Sequence, residues 1–335
     1  MPEPDPTARG PERGATTMAA MTDTWRKGLD EGRALLLDGG TGSELRRRGW
    51  ALHAAAWSAP ASLTHFELLR QIHADFIDAG ADVITTTTFA ATRFVLDAAG
   101  FGGRNVEIAR RAVAAAREAR AASGRDVAIA GSISCLPPRF DPRAYPDARA
   151  ERAAYSELAE LLAAEGVDLL ALEMLEDTEH AARACEAAIE TGLPVWLGVT
   201  CRVRADGALV AFDFPDTPLA EVLDALLPFA PDAVNVMHTP TDAIAPALLG
   251  VGARWRGVLG AYPELEGAVT GFVRAARPER GDAAANDTGR RGRAVVSPAE
   301  LAELARGWIA SGARIVGGCC GATPEHIRAL RAALG

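Results

Sequence analysis

The chain has 335 residues, of which 49% are hydrophobic and 24% charged, so it can bury the core of one large domain or two small ones. Its 44 aspartates and glutamates outnumber its 35 lysines and arginines, and the net charge of −9 argues against a general nucleic-acid binder. No apolar run reaches the roughly 18 uncharged residues that a membrane span needs.

The first 28 residues are predicted to form a disordered tail, because they are rich in proline, glycine, alanine, threonine and charge. The segment has no apolar h-region and is not a secretory signal, which predicts a cytoplasmic protein. In that compartment cysteines are expected to be reduced thiols or metal ligands rather than disulfides. The chain has five: Cys135, Cys185, Cys201, Cys319 and Cys320.

Short apolar runs alternate with longer segments of helical period along the rest of the chain. The predicted strands are residues 34–38, 82–87, 127–133, 168–173, 194–200, 233–237, 257–261 and 313–317. The predicted helices are residues 61–79, 105–122, 150–164, 177–191, 218–227, 241–249, 298–311 and 324–334. Eight strand–helix units predict a single (β/α)8 TIM barrel over residues 29–335. Residues 274–296, rich in glycine, arginine and aspartate near their centre, are predicted to be a mobile insertion after strand 7.

Chemically reactive side chains follow the predicted strands, at the end where such barrels carry their active sites. Asp38 and Glu173 end apolar strands, where a carboxylate is costly unless it has a partner. A substrate ammonium group is one partner that fits, and an internal salt bridge with an arginine is the alternative.

Adjacent cysteines, Cys319 and Cys320, follow the last strand between glycines that let the backbone turn. Two thiolates suit Zn²⁺, and a catalytic zinc has about three protein ligands and one open position. A substrate thiol in the open position would be held as its thiolate, the nucleophilic form. The alternative is a pair of packed core cysteines.

Other candidate substrate contacts lie at the same rim. Residues 85–88 are four threonines whose hydroxyls could bond a substrate carboxylate or could simply fill a strand. Trp57 precedes a helix in a polar loop, where it is exposed by chance or covers a ligand. Gly39 and Asn235, at the ends of strands 1 and 6, are further candidates.

Together these segments resemble the homocysteine S-methyltransferase family, which includes betaine–homocysteine methyltransferase, S-methylmethionine-dependent enzymes and the homocysteine domain of cobalamin-dependent methionine synthase. The matching segments are residues 36–42, 80–89, 172–174 and 317–327. The resemblance spans roughly residues 34 to 334, and it implies the same (β/α)8 barrel.

The resemblance also implies roles for individual residues. Cys319 and Cys320 match the paired zinc ligands of the family, and Asp38 and Glu173 match positions that hold the homocysteine amino group. Two threonines, Thr86 and Thr88, lie in the segment near its carboxylate, and Trp57 lies where the family has a mobile loop over the site.

The sequence departs from the family at the third zinc ligand, a cysteine after an asparagine at the end of strand 6. Here Val236 follows Asn235. His238, two residues on, could supply an imidazole nitrogen, Cys201 could move in from strand 5, or the site could bind zinc weakly or not at all. A second departure is Glu264, where the family usually has asparagine after Tyr-Pro.

The predicted function is therefore zinc-dependent methyl transfer from a small activated donor to the thiol of homocysteine, giving methionine. S-methylmethionine, S-adenosylmethionine and betaine-like compounds are the candidate donors. The alternative is a diverged, non-methylating barrel that binds a small amino acid, because Val236 replaces a zinc ligand. Small molecules are the only predicted partners, without nucleic acid or membrane, and an oligomer is possible but unassigned.

Overall fold

The computed structural model of the protein describes residues 24–266 and 295–335. Its main sheet has eight parallel strands in the order β1-β10-β9-β8-β5-β4-β3-β2. These strands are β1 (Leu35–Leu36), β2 (Val83–Thr85), β3 (Ala128–Ser134), β4 (Leu169–Leu175), β5 (Val195–Val199), β8 (Ala233–Pro240), β9 (Val258–Glu264) and β10 (Ala313–Val316). A parallel bridge between Leu37 and Val83 joins the two ends of the sheet. The predicted (β/α)8 barrel is confirmed.

Helices follow the strands along the chain and cover the outside of the barrel. They are α1 (Thr24–Asp30), α2 (Thr41–Arg47), α3 (Ala61–Thr64), α4 (Phe66–Ala79), α5 (Arg93–Ala98), α6 (Asn105–Ser123), α7 (Ala148–Ala164), α8 (His180–Ile189), α9 (Leu219–Leu226), α10 (Thr241–Gly252), α11 (Pro298–Ala310) and α12 (Pro324–Leu334). Every residue of β3 and β4 is buried, as expected for parallel strands covered on both faces. Within the described residues, no helix is both long and apolar enough to cross a lipid bilayer.

The structure adds a small hairpin that the sequence pattern did not predict. Strands β6 (Cys201–Val203) and β7 (Leu209–Ala211) pair antiparallel directly after β5. The hairpin contacts β8 and α10, at the carboxyl end of the barrel. It therefore places Cys201 in a strand of its own rather than at the tip of strand 5.

Helix α1 begins inside the predicted disordered tail, residues 1–28, and corrects its boundary. Trp25 is only 6% exposed, and its ring meets Trp196 of β5 edge to face at 5.5 Å between centroids. Aromatic burial of this size stabilises a short helix that would not persist alone. Residues 1–23 lie outside the described residues, as do residues 274–294 of the predicted insertion.

Replacing Trp25 with alanine should lower the free energy of unfolding by about 3 kcal/mol, because it removes a buried indole and leaves a cavity against Trp196. Urea denaturation followed by circular dichroism would measure the loss. Lys27→Ala is the matched control, since that side chain on the same helix is 74% exposed. A Trp25→Ala variant as stable as the Lys27→Ala variant would show that α1 does not pack on the barrel.

Candidate active site

A cavity opens at the carboxyl ends of the barrel strands, the end at which barrel enzymes carry their chemistry. The space it encloses is about 680 Å³, a volume that includes open solvent at the mouth. The predicted site residues in its wall are Asp38, Gly39, Trp57, Thr86, Glu173, His238, Cys319 and Cys320. The barrel thus gathers residues from five strands and their loops around one space.

Asp38, directly after β1, is 2% exposed and is held by the next strand along the chain. Its carboxylate accepts hydrogen bonds from the Thr85 backbone N–H at 2.8 Å and the Thr85 hydroxyl at 3.0 Å. Burial nevertheless raises the pKa of Asp38 to about 8, and the negative charge of Glu173 adds to the rise. A cation bound in the cavity would therefore favour the ionised form of this carboxyl group.

Glu173 in β4 is the second buried carboxylate of the wall. It accepts hydrogen bonds from the Ser132 hydroxyl at 2.5 Å and the Tyr262 hydroxyl at 3.4 Å. Burial raises its pKa to about 7 despite these bonds. Within residues 24–266 and 295–335, neither Asp38 nor Glu173 forms an ion pair with an arginine or lysine, so the internal salt bridge expected as an alternative is not found.

The four threonines at residues 85–88 have different surroundings. The Thr86 and Thr88 hydroxyls lie 2.7 Å apart, and the Thr88 hydroxyl donates to the Ser132 carbonyl at 2.6 Å. Thr88 is fully buried and does not line the cavity, whereas Thr86 and Thr87 do. The Thr88 hydroxyl thus bonds a neighbouring strand, and its contact with a substrate stays a prediction.

The loop after β1 approaches the cysteine loop closely through its glycines. A Cβ atom on Gly39 would lie 2.6 Å from the Ala322 carbonyl oxygen, so only glycine fits there. Trp57, at φ 48°, lies against the same loop, where a Cβ atom on Gly42 would lie 2.7 Å from its Nε1. These contacts place the indole of Trp57 in the wall of the cavity rather than in solvent.

Three side chains with metal-binding atoms meet in the wall of the cavity. The Sγ of Cys319 lies 3.6 Å from Nδ1 of His238 and 4.0 Å from Sγ of Cys320. Ligand atoms of all three residues lie within 4.8 Å of one another. The hydrogen bond from Cys319 lowers the pKa of the Cys320 thiol well below its usual value, with a further contribution from the charge of His238.

A β-bulge brings His238 to this position. The pairing of β8 with β9 shifts register between Met237 and Pro240, and His238 has φ 44°. The bulge interrupts the two-residue alternation of the strand, so Met237 and His238 both line the cavity. The expectation that His238 lies near the cysteines is met, but local backbone geometry, not the strand face shared with Val236, places it there.

Two other predicted residues lie away from the cavity. Asn235 is 1% exposed inside the barrel, where its side-chain amide donates to the Leu197 carbonyl at 3.3 Å. Cys201 is fully buried beside Thr239, and burial raises its pKa to about 12. Neither side chain reaches the cavity wall, so the predicted substrate contact of Asn235 and the proposed movement of Cys201 find no support here.

Several cavity residues were not singled out from the sequence. Ser132 and Tyr262 bond Glu173, and Met174 and Met237 form an apolar part of the wall, where the Met174 backbone N–H donates to the Met237 sulfur at 3.1 Å. Each lies at or near the end of a predicted strand. That position is the signal that could have identified them.

Comparison with known proteins identifies the family of the chain that carries these site residues. A family model described as homocysteine S-methyltransferase matches residues 35–334. The chain belongs to the homocysteine S-methyltransferase family. It is 30% identical over 331 residues to the homocysteine S-methyltransferase of Escherichia coli (strain K12), and the alignment covers 91% of this chain and 96% of that protein.

Other members of the family show the same likeness over nearly their whole length. The selenocysteine methyltransferase of Astragalus bisulcatus is 29% identical over 332 residues, covering 89% of this chain and 92% of that protein. The crystal structure of the metallated E. coli homocysteine methyltransferase MmuM has a TM-score of 0.71 at 26% identity and covers 92% of this chain and 98% of its own. The protein is a methyltransferase of class EC 2.1.1, in a family that methylates homocysteine.

Proposed function

We propose that this member of the homocysteine S-methyltransferase family transfers a methyl group from a small activated donor to the thiol of homocysteine, giving methionine. One observation carries the proposal: two buried carboxylates that pair with no arginine or lysine in the described part of the chain and a Cys319–Cys320–His238 cluster face the same cavity. The first feature suits the ammonium group of an amino acid, and the second suits its sulfur.

The three-residue cluster fits a zinc ion by its chemistry and its spacing. In a tetrahedral site with Zn–S of about 2.3 Å and Zn–N of about 2.0–2.1 Å, the sulfurs lie about 3.8 Å apart and a nitrogen lies about 3.5 Å from a sulfur. The observed separations are 4.0 and 3.6 Å. Cys319, Cys320 and His238 would therefore hold the ion, which would supply a positive charge that lowers the pKa of the substrate thiol. The metallated form of the related E. coli homocysteine methyltransferase MmuM supports the proposal that this chain binds a metal.

The rest of the cavity is proposed to orient the amino-acid part of the substrate. Asp38 and Glu173 would pair with the ammonium group, which would favour the ionised form of both carboxylates. The hydroxyl of Thr86 and the loop at Gly39 line the same space. Trp57 would cover the bound substrate and exclude water, so that water does not compete with the thiolate for the methyl group of the donor.

The candidate methyl donors are sulfonium and quaternary ammonium compounds. The thiolate sulfur forms a bond to the methyl carbon as the carbon–sulfur or carbon–nitrogen bond of the donor breaks, and a neutral sulfide or amine leaves. The thiol proton is released before attack. Most of the rate enhancement would come from alignment of the two substrates and from the thiolate form of the acceptor.

A donor screen tests this function. The zinc-loaded protein is incubated with homocysteine and with S-methylmethionine, S-adenosylmethionine or betaine, and methionine is measured by mass spectrometry with isotopically labelled methyl groups. Selenocysteine is a second acceptor to include, because one relative is a selenocysteine methyltransferase. Homocysteine binding in a thermal-shift assay without product from any donor would instead support a non-methylating barrel.

The identity of the third ligand can be tested separately. His238→Ala should release the metal, because only two ligand side chains would remain, whereas Cys201→Ala should retain it, because Cys201 is buried beside Thr239. Zinc per protein is measured by mass spectrometry after dialysis. Metal loss in Cys201→Ala together with retention in His238→Ala would assign the ligand to Cys201.

A further inference from the structure

Each threonine at residues 85–88 has one hydroxyl proton, and the hydrogen bonds of the fold show where these protons go. A hydroxyl can accept two hydrogen bonds but can donate only one. The Thr85 hydroxyl donates to Asp38 at 3.0 Å, and the Thr88 hydroxyl donates to the Ser132 carbonyl at 2.6 Å. Both of these protons are therefore used within the fold.

The proton of Thr86 is used as well. Its hydroxyl lies 2.7 Å from the Thr88 hydroxyl, whose own proton goes to the Ser132 carbonyl, so Thr86 must be the donor of this bond. The Ser132 backbone N–H donates to the Thr86 oxygen at 3.1 Å. Neither Thr86 nor Thr88 therefore has a proton left for a carboxylate in the cavity.

Thr87 differs from the other three threonines in its hydrogen bonding. The residue lines the cavity and is 3% exposed. In the part of the chain that the structure describes, its Oγ1 atom is the only buried hydroxyl oxygen of the cavity wall that makes no hydrogen bond. A buried hydroxyl without a partner is rare in folded proteins and lowers their stability. A ligand that accepts its proton would account for such a group in a cavity wall.

An amino acid bound in the cavity needs a neutral donor of this kind. Asp38 and Glu173 suit its ammonium group, but among the described residues no arginine or lysine lines the cavity to meet its carboxylate. The hydroxyls of Ser132 and Tyr262 line the same cavity, and both donate to Glu173. The hydroxyl of Thr87 has no such commitment.

Thr87 also lies close to the proposed ammonium site. It is two residues beyond Thr85, whose backbone N–H and hydroxyl hold Asp38, and two residues span at most about 7 Å. The ammonium and carboxylate groups of an α-amino acid are attached to the same carbon atom. A substrate that pairs its ammonium group with Asp38 therefore brings its carboxylate to this part of the wall.

We propose that the Thr87 hydroxyl donates a hydrogen bond to the carboxylate of the amino-acid substrate and thereby selects α-amino acids over simple thiols. The inference rests on the proposed function, in which Asp38 and Glu173 take the ammonium group, and it adds the group that takes the carboxylate. Because the carboxylate does not change during methyl transfer, the bond stabilises the bound substrate and the transition state equally. Its loss should raise KM and leave kcat unchanged.

Calorimetric titration of the zinc-loaded protein, without a methyl donor, tests this bond. Thr87→Val keeps the shape of the side chain and loses the hydroxyl, so homocysteine binding should weaken about 10- to 100-fold, as for a hydrogen bond to a charged group. Thr87→Ser keeps the hydroxyl and should stay within about threefold of the wild type. Aminopropanethiol, which is homocysteine without its carboxylate, should bind equally well to the wild type and to Thr87→Val.

Thr92→Val is the matched control. The Thr92 hydroxyl is also buried and makes no hydrogen bond within the described residues, but Thr92 does not line the cavity. Both valine variants remove an unsatisfied hydroxyl, so urea denaturation should find each of them at least as stable as the wild type. Only Thr87→Val should lose affinity for homocysteine. If Thr87→Val does not fold, Thr87→Ala carries the same comparison.

The outcomes separate this inference from the proposed function. Homocysteine affinity in Thr87→Val equal to that of the wild type, or an equal loss for aminopropanethiol or in Thr92→Val, would overturn the carboxylate contact and leave the methyltransferase intact. A Thr87→Val variant less stable than the wild type would overturn it too, because the hydroxyl would then serve the fold. A wild type that neither binds homocysteine nor makes methionine would overturn the proposed function as well.

Discussion

Replacing Cys319 with serine should remove zinc from the protein and lower kcat/KM for homocysteine by at least about a thousandfold. Cys319 is the residue nearest both other members of the cluster, at 3.6 Å from His238 and 4.0 Å from Cys320. A serine hydroxyl is a poor replacement for a thiolate ligand of zinc. Loss of several kcal/mol of charge stabilisation corresponds to a rate decrease of this size.

Metal analysis and steady-state kinetics on the same preparation would measure both effects. Val236→Ala is the control, because Val236 is a fully buried residue of the same barrel that does not line the cavity. That variant should keep its zinc and most of its activity, with some loss of stability. Retention of both zinc and activity in Cys319→Ser would show that the adjacent cysteines are packing residues.

The second large effect is expected at Glu173, where replacement by glutamine should lower activity and raise stability together. In the folded protein the pKa of Glu173 is raised from 4.5 to about 7, so the folded state keeps a proton that the unfolded state loses in this interval. Folding stability therefore falls as the pH rises from about 4.5 to 7, by about 3 kcal/mol. Glutamine carries no such penalty, and its amide can still bond Ser132 and Tyr262.

Urea denaturation of the ligand-free protein between pH 4 and pH 8 would measure this difference. Glu173→Gln should match the wild type near pH 4 and exceed it at pH 8, while kcat/KM for homocysteine falls about a hundredfold because the ammonium group loses a charged partner. A Glu173→Gln variant that is less stable than the wild type at pH 8 would instead assign Glu173 a structural role.

A matched comparison exists on the outside of the barrel. Glu151 in α7 is fully buried, and its carboxylate pairs with Arg183 at 2.9 Å and His180 at 2.8 Å. Glu151→Gln should therefore destabilise the protein by about 3 kcal/mol, since it removes the buried charge that pairs with both Arg183 and His180 and leaves Arg183 only its pair with the exposed Glu179. If Glu173→Gln raises the stability of the fold and Glu151→Gln lowers it, the first carboxylate serves a ligand and the second serves the fold.

Sequence periodicity was sufficient for the barrel, because parallel strands under helices are continuous apolar runs that end in polar loops. It failed where stability comes from tertiary contacts. Helix α1 looks like part of a polar tail, and contacts with the barrel, such as the packing of Trp25 on Trp196, fix it. The β6–β7 hairpin is similar, since three-residue strands carry too little pattern to separate from a loop.

The candidate site was predictable where residue type alone limits the chemistry. Adjacent cysteines and strand-ending carboxylates have few other uses, and the structure brings Asp38, Glu173, Cys319 and Cys320 around one cavity. Positions that depend on backbone detail were not predictable. Thr88 gives its hydroxyl to a neighbouring strand, and other features, such as the bulge at His238, arise from strand pairing that no local pattern encodes.

The dependence of activity on bound zinc tests the central claim most directly. Metal-free protein is prepared by chelation, zinc is added in fractions of an equivalent, and methionine formation from homocysteine is measured at each step with the donor identified in the screen. The proposed site predicts that activity rises linearly with zinc and reaches its plateau at one equivalent per chain. Full activity in the metal-free protein, or none at one bound equivalent, would contradict it.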